Sequence, residues 1–171
     1  NDLRYLLDTL RGRGAREADL APLYERYLKK PLGQMLDQFN NVVEVVAKRQ
    51  GKRVEPIEFV GEKIRVYHHL YQSLVSSLVH AFRNAVDHGI EEPEVRSMSG
   101  KAETGRIVVS TQRKIEGGRR WIELVIQDDG GGIPAMVVRE KLKRFIPEPE
   151  VEKLSDDQVI QYIFHPGLST R

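Results

Sequence analysis

The chain has 171 residues, of which 40% are hydrophobic, enough for one globular domain with its own core and a helical arm. Its 27 basic and 25 acidic residues leave a net charge of only +2, so the composition shows no basic patch that would indicate a nucleic acid or an anionic membrane partner. The lack of cysteine excludes disulfides and thiol chemistry. Together with the lack of a long apolar run, it favours a cytoplasmic location without membrane insertion.

The first third of the chain shows mainly helical periodicity. Apolar spacing predicts a short helix over residues 3–10, followed by a linker rich in glycine and arginine. The periodicity resumes over residues 23–50, where Pro31 divides it into two helices because its ring removes a helix hydrogen bond. Alternating apolar residues over 53–60 predict a strand. Because proline cannot donate a ladder hydrogen bond, Pro56 favours a position at the edge of the sheet.

The strongest helical pattern covers residues 67–88 and ends at Gly89. A polar loop with one helical turn after Pro93 follows, over residues 91–105.

Two runs rich in β-branched residues, 107–113 and 121–127, are joined by two glycines and predict a hairpin. Two short helices are expected over 137–145 and 156–164, the second with a serine N-cap. Helices and antiparallel strands alternate without a βαβ rhythm, so the sequence predicts an α+β fold.

Polar groups of an unusual kind lie along one side of the predicted helix 67–88. At about 100° per residue, His80, Asn84, Asp87 and His88 share one face. An amide, a carboxylate and two imidazoles can bind a metal ion and phosphates, although a polar face is also ordinary for a surface helix.

Two further segments carry similar signals. Residues 128–133, Asp-Asp-Gly-Gly-Gly-Ile, follow a strand; the glycines permit close backbone approach to a ligand and the carboxylate can accept from an amino group. A tight turn at the end of a strand accounts for the same residues equally well. Residues 164–171, FHPGLSTR, add hydroxyls and a positive charge after a helix, which alone is ordinary helix termination.

In this order, the three segments resemble the N box, the first glycine box and the lid of the GHKL ATPases, which include gyrase, Hsp90, MutL and the histidine kinases. The stretches HAFRNAVDHGIEEPEVRSMSGKAETG and LSDDQVIQYIFHPGLST resemble the chemotaxis-type (CheA-like) histidine kinases in particular. The resemblance covers roughly residues 31–171 and implies a two-layer α/β sandwich of the Bergerat type. On this basis residues 1–30 form an N-terminal helical arm and residues 31–171 an ATP-binding catalytic domain.

The resemblance implies a role for individual residues. Asn84 would ligate the Mg²⁺ that bridges the ATP phosphates, and Asp128 would accept a hydrogen bond from the adenine amino group. His80 replaces the glutamate of the hydrolytic members and is the candidate for assisting phosphoryl transfer. The other implied nucleotide-binding residues are Arg83, Asn84 itself, Asp87, His88, Gly130, Gly132, Ile133, Phe164, Ser169 and Thr170.

The implied activity is transfer of the ATP γ-phosphoryl group to a histidine on a separate phosphotransfer domain, in chemotaxis-type two-component signalling. A response regulator would be an indirect partner, and the full-length protein would be a dimer. Two departures from the family pattern bear on this. Residues 134–137 are Pro-Ala-Met-Val where the family has a basic residue, which Arg139, Lys141 or Lys143 could replace, and the 171 residues contain no second glycine box. The alternative is a non-catalytic module of the same fold that senses nucleotide or binds another protein. Histidine at position 80 argues against a hydrolytic relative.

Overall fold

The computed structural model describes residues 2–162, with side chains from Tyr5 onward, and has the α+β composition expected from the sequence. Its helices are α1 Asp2–Gly12, α2 Glu17–Leu23, α3 Leu32–Leu36, α4 Phe39–Arg49, α5 His68–Ser77, α6 Val79–Asn84, α7 Pro93–Met98, α8 Ala135–Leu142, α9 Glu148–Val151 and α10 Asp156–Gln161. Its strands are β1 Lys29–Pro31, β2 Glu58–Gly61, β3 Arg65–Tyr67, β4 Ile107–Glu116 and β5 Arg119–Asp128. Two π-helical turns, Tyr24–Leu28 and Ala85–Gly89, complete the assignment.

The main sheet has the order β2-β4-β5. Strands β4 and β5 form the predicted hairpin, whose two turn residues, Gly117 and Gly118, both have positive φ, as a type I′ turn requires. Strand β2 lies at the edge, as Pro56 predicted, but the strand begins only at Glu58. It pairs with β4 in parallel, which the sequence did not predict, because the long crossover between them comprises several helices rather than one.

Helices α3 to α6 pack against this sheet and enclose the main core. The rings of Phe39 and Phe82 stack at a centroid distance of 4.7 Å, which fixes α6 to α4. Phe82 and Val86 have no exposed surface, and Ile107 and Val109 meet them from β4 within the same core.

The prediction of continuous helix between residues 23 and 30 was wrong in its last part. Helix α2 passes into a π-helical turn, and β1 then pairs antiparallel with β3. The Arg65 guanidinium supports this pairing by donating to the Glu25 and Lys29 carbonyls at 2.9 and 2.7 Å. Pairing with a distant segment has overridden the local helical preference.

The predicted helix 67–88 is divided at Leu78 into α5 and α6. The hydroxyls of Ser76 and Ser77 donate to carbonyls of the preceding turn, Gln72 at 2.9 Å and Leu74 at 2.7 Å. Such bonds compete with the helix ladder and bend it, which accounts for the division.

Helices α8 to α10 enclose a second, smaller core of Val138, Leu142, Val151 and Val159. Ser155 caps α10 through a capping box with Gln158, which confirms the predicted N-cap. The short helix α9 was not predicted. Within residues 2–162, none of the helices has both the length and the apolar character needed to cross a bilayer.

Candidate functional site

The polar face predicted for the helix before Gly89 is present in the structure. His80, Asn84 and His88 are exposed, whereas Phe82 and Val86 on the opposite side are buried in the main core. Arg83 is also exposed. In the described part of the chain, the side chains of His80 and Asn84 form no hydrogen bond, so their polar atoms face solvent.

Asp87 has a structural contact that distinguishes it from its neighbours. Its carboxylate accepts a hydrogen bond from the Gln50 side chain at the end of α4. The Lys52 ammonium donates to the Val86 and Asp87 carbonyls at 2.7 and 3.0 Å, and its burial lowers the pKa of Lys52 although Asp87 and nearby glutamates oppose the shift. Asp87 therefore holds the π-helical turn against α4.

The structure brings the helix end and the glycine-rich segment together. The half-buried Asp128 at the end of β5 lies directly against Gly89, where a Cβ atom would be 2.5 Å from the Asp128 Oδ1. The same oxygen accepts from the Gly130 N–H at 3.0 Å, and the Gly131 N–H donates to the Gly89 carbonyl at 3.0 Å. Two segments far apart in sequence thus form one continuous surface.

Close packing between two backbone segments accounts for the first glycine of this segment. A Cβ on Gly130 would lie 1.9 Å from the Gly89 carbonyl oxygen, so only glycine fits while the two backbones are this close. Gly132 has a φ of +69°, a conformation that favours glycine. Ile133, which follows, is half-buried and packs against the second core.

A buried arginine, Arg96, holds the loop after Gly89 against the glycine-rich segment. Its side chain is 1% exposed and donates to the Asp129 carboxylate at 2.8 Å, to Glu91 at 3.1 Å and to the Ala102 carbonyl at 2.7 Å. Lys101 completes the network through Glu91 at 2.8 Å. In the sequence these residues were noticed only as part of the stretch that resembles the chemotaxis-type kinases. Their burial could not be predicted, because one charged residue in a polar loop carries no local sign of it.

The two carboxylates of this network have lowered pKa values. Burial raises the pKa of Asp129, but hydrogen bonds from the Arg106 N–H and the Arg96 guanidinium outweigh it and bring the pKa below its usual value. Burial likewise opposes the shift at Glu91, where hydrogen bonds from Lys101 and Arg96 contribute to a lowered pKa. Both groups are therefore ionised partners of Arg96 at neutral pH.

The replacements suggested for the family's basic residue have contacts of their own. Arg139 donates to the Val151 and Leu154 carbonyls and to Asp156, and so ties α8 to α10. Lys143 pairs with two glutamates, which raise its pKa. Phe164, Ser169 and Thr170, expected in the lid, lie outside the described residues.

Comparisons with known proteins agree with the family suggested by the motifs, although no family model matches the chain. The chain is 35% identical over 144 residues, 82% of its length, to the chemotaxis protein CheA of Halobacterium salinarum. It is 34% identical over 143 residues to the sensor histidine kinase CheAY of Helicobacter pylori, again 82% of its length. A gliding motility regulatory protein of Myxococcus xanthus is 35% identical over 167 residues, 96% of the chain.

These similarities support a relationship between the chain and the CheA-like histidine kinases. The matched region is 20% of the Halobacterium salinarum and Myxococcus xanthus proteins and 17% of the Helicobacter pylori protein. The chain thus spans about a fifth of the length of the curated relatives it matches.

Proposed function

We propose that the chain is part of the ATP-binding catalytic region of a chemotaxis-type histidine kinase with a Bergerat-type fold. In this proposal it binds Mg²⁺-ATP, and the full protein transfers the γ-phosphoryl group to a histidine on a separate phosphotransfer domain. The observation that carries the proposal is the contact between Gly89 and Asp128, which joins the polar face of α6 to the glycine-rich loop.

This contact places the proposed adenine subsite and the proposed phosphate subsite on one continuous surface. Asp128 lies at one end, where its carboxylate would accept from the adenine amino group while remaining anchored by the Gly130 N–H. Asn84 and His88 lie at the other end, on the exposed face of the helix. A nucleotide is an elongated ligand and needs its base and its phosphates recognised by separate groups in this way.

The side chains present fit a magnesium ion that is held mainly by the phosphates of the nucleotide. Mg²⁺ in phosphate-binding sites typically uses one or two protein oxygens, with phosphates and water filling the other positions. Asn84 offers one exposed amide oxygen, and among the described residues there is no cluster of three or more His, Asp or Glu that would form a site made of protein alone. Bound there, the ion would neutralise charge on the phosphates.

His80 lies one helical turn before Asn84, so the two side chains point to the same face. The role proposed for the exposed imidazole of His80 is to hold or relay a proton during phosphoryl transfer. Positioning and charge stabilisation supply most of the catalysis in such reactions. The non-catalytic alternative is less well supported, because the matched relatives include a named sensor histidine kinase.

Isothermal titration calorimetry with a nonhydrolysable ATP analogue, with and without Mg²⁺, tests the proposal. The chain is compared with Asn84→Ala and Asp128→Ala, and with Asn41→Ala, an exposed asparagine on α4, as the matched control. We expect Asp128→Ala to weaken binding at least about tenfold, because a hydrogen bond to a charged group contributes about 1.5–3 kcal/mol. Asn84→Ala should remove only the Mg²⁺-dependent part.

A chimera that adds the second glycine box of the family after Arg171 extends the test. Binding that Asn41→Ala leaves unchanged and the two site variants weaken supports the proposed site. The proposal is refuted if neither the chain nor the chimera binds the analogue, or if all three variants bind alike.

A further inference from the structure

A second concave surface lies at the opposite end of the hairpin from Asp128. Strand β2 pairs with β4 only as far as Thr111, so the hairpin from Gln112 to its turn projects beyond the rest of the sheet. A groove of about 850 Å³ separates this projection from residues 63–65 and from β1. We call it the hairpin groove. Seven residues of strand, or about 24 Å, separate Trp121 in the groove from Asp128.

The hairpin groove is strongly basic, although the composition of the whole chain shows no basic patch. Its lining includes one acidic residue, Glu25, and six basic residues, Lys29, Lys63, Arg65, Arg113, Lys114 and Arg120. The whole chain hides this concentration because acidic residues elsewhere balance the charge. A groove with an excess of one sign of charge attracts ligands of the opposite sign.

Part of this charge is already committed inside the protein. Lys29 pairs with Glu25, Lys114 with Glu123, and Arg113 with Glu62 at 2.6 Å. Over residues 2–162, Lys63 and Arg120 are engaged in no ion pair. These two cations are therefore available to pair with an incoming anion.

Apolar groups lie beside the cations. Ile115 is 74% exposed, whereas Trp121, which is 53% exposed, lies on the other face of the hairpin opposite Lys114. Ile115 lies on the face of the hairpin that also carries Ile122, which packs against the main core; the projection of the hairpin leaves Ile115 itself uncovered. Arginine is enriched at the centres of protein interfaces, and Ile115, on the same face of the hairpin as Arg120, adds apolar area.

We propose that the hairpin groove binds a short acidic segment of a partner protein, whose carboxylates pair with Lys63 and Arg120 and whose apolar side chain contacts Ile115. Glu25 in the lining and Glu62, which pairs with the lining residue Arg113, favour a peptide over a nucleic acid, because a continuous row of phosphates would be repelled where they lie. A peptide can place its carboxylates only where cations are available.

The test uses Trp121, which is the only tryptophan in the chain and belongs to the lining of the groove next to Arg120. The probe is a glutamate-rich hexapeptide with two central leucines, titrated into the chain at low salt while tryptophan fluorescence is recorded. We expect a saturable change that weakens as salt is raised, since the pairs are solvent-exposed. The Glu-to-Gln version of the peptide should bind at least about tenfold more weakly, because it lacks the charges that Lys63 and Arg120 would pair with.

Two charge reversals distinguish the groove from general attraction. Arg120→Glu should weaken peptide binding at least about tenfold, whereas Arg144→Glu, the same change at an exposed position after α8, should alter it less than about twofold. Lys63→Gln provides a milder variant, and circular dichroism confirms that each variant is folded.

Any of four results would overturn the proposal. These are no binding up to millimolar peptide, equal binding of the glutamine peptide, equal effects of Arg120→Glu and Arg144→Glu, or displacement of the peptide by a single-stranded oligonucleotide that binds more tightly. None of them depends on whether the chain binds ATP, so the groove and the proposed nucleotide site are tested separately.

Discussion

Replacing Arg96 by alanine should be among the most damaging single substitutions in the region around the candidate site. The side chain is 1% exposed, and its guanidinium holds two carboxylates and the Ala102 carbonyl. Alanine would leave Asp129 and Glu91 without their buried partner and would open a cavity. Breaking a buried ion pair by removing one partner costs about 3–5 kcal/mol.

This cost is large relative to the stability of an ordinary domain, which is about 5–15 kcal/mol. For a chain of this size it corresponds to a fall in Tm of roughly 6–20 °C. Arg96→Lys keeps the charge but cannot donate in the same fork, so an intermediate loss is expected. Arg106→Ala is the control, because Arg106 is 56% exposed and pairs with Glu58 on the surface; its loss should cost less than about 1 kcal/mol.

Urea unfolding followed by Trp121 fluorescence and by far-ultraviolet circular dichroism measures these differences. Coincident transitions from the two signals would justify a two-state treatment. If Arg96→Ala lowers the free energy of unfolding no more than Arg106→Ala does, the network around Arg96 does not stabilise the loop and the reasoning fails.

Two further predictions concern the same region. Gly130→Ala should lower the free energy of unfolding by about 1–3 kcal/mol, because its methyl group meets the Gly89 carbonyl, while Gly12→Ala, with open space around it, should not; equal thermal stability of the two variants would contradict this. The lowered pKa values of Asp129 and Glu91 mean that their stabilising contribution is complete above about pH 5 and is lost as pH falls through the folded-state pKa values. Urea unfolding from pH 3 to pH 6 should show a weaker acid dependence in Asp129→Asn, and an unchanged dependence would refute the assignment.

Local patterns were enough to predict many of the elements. The two glycines at the hairpin turn predicted it because both positions need positive φ, which other residues rarely adopt. Helical spacing predicted that His80 and Asn84 share one face of the helix before Gly89, and the structure exposes them and buries Phe82 and Val86 on the opposite side. Ser155 was identified as an N-cap from its position alone.

Within the candidate site, the sequence determined which chemical groups are present, but the tertiary structure decided what each of them contacts. Only the fold shows that Gly130 is a glycine to clear the Gly89 carbonyl, that Asp87 is bound by Gln50, and that Arg96 is buried. The same holds for the parallel pairing of β2 with β4. Helix periodicity and turn conformation depend on neighbouring residues and can therefore be predicted from short stretches of sequence. The contacts of the site join segments tens of residues apart, and their energies exist only once packing has brought those segments together.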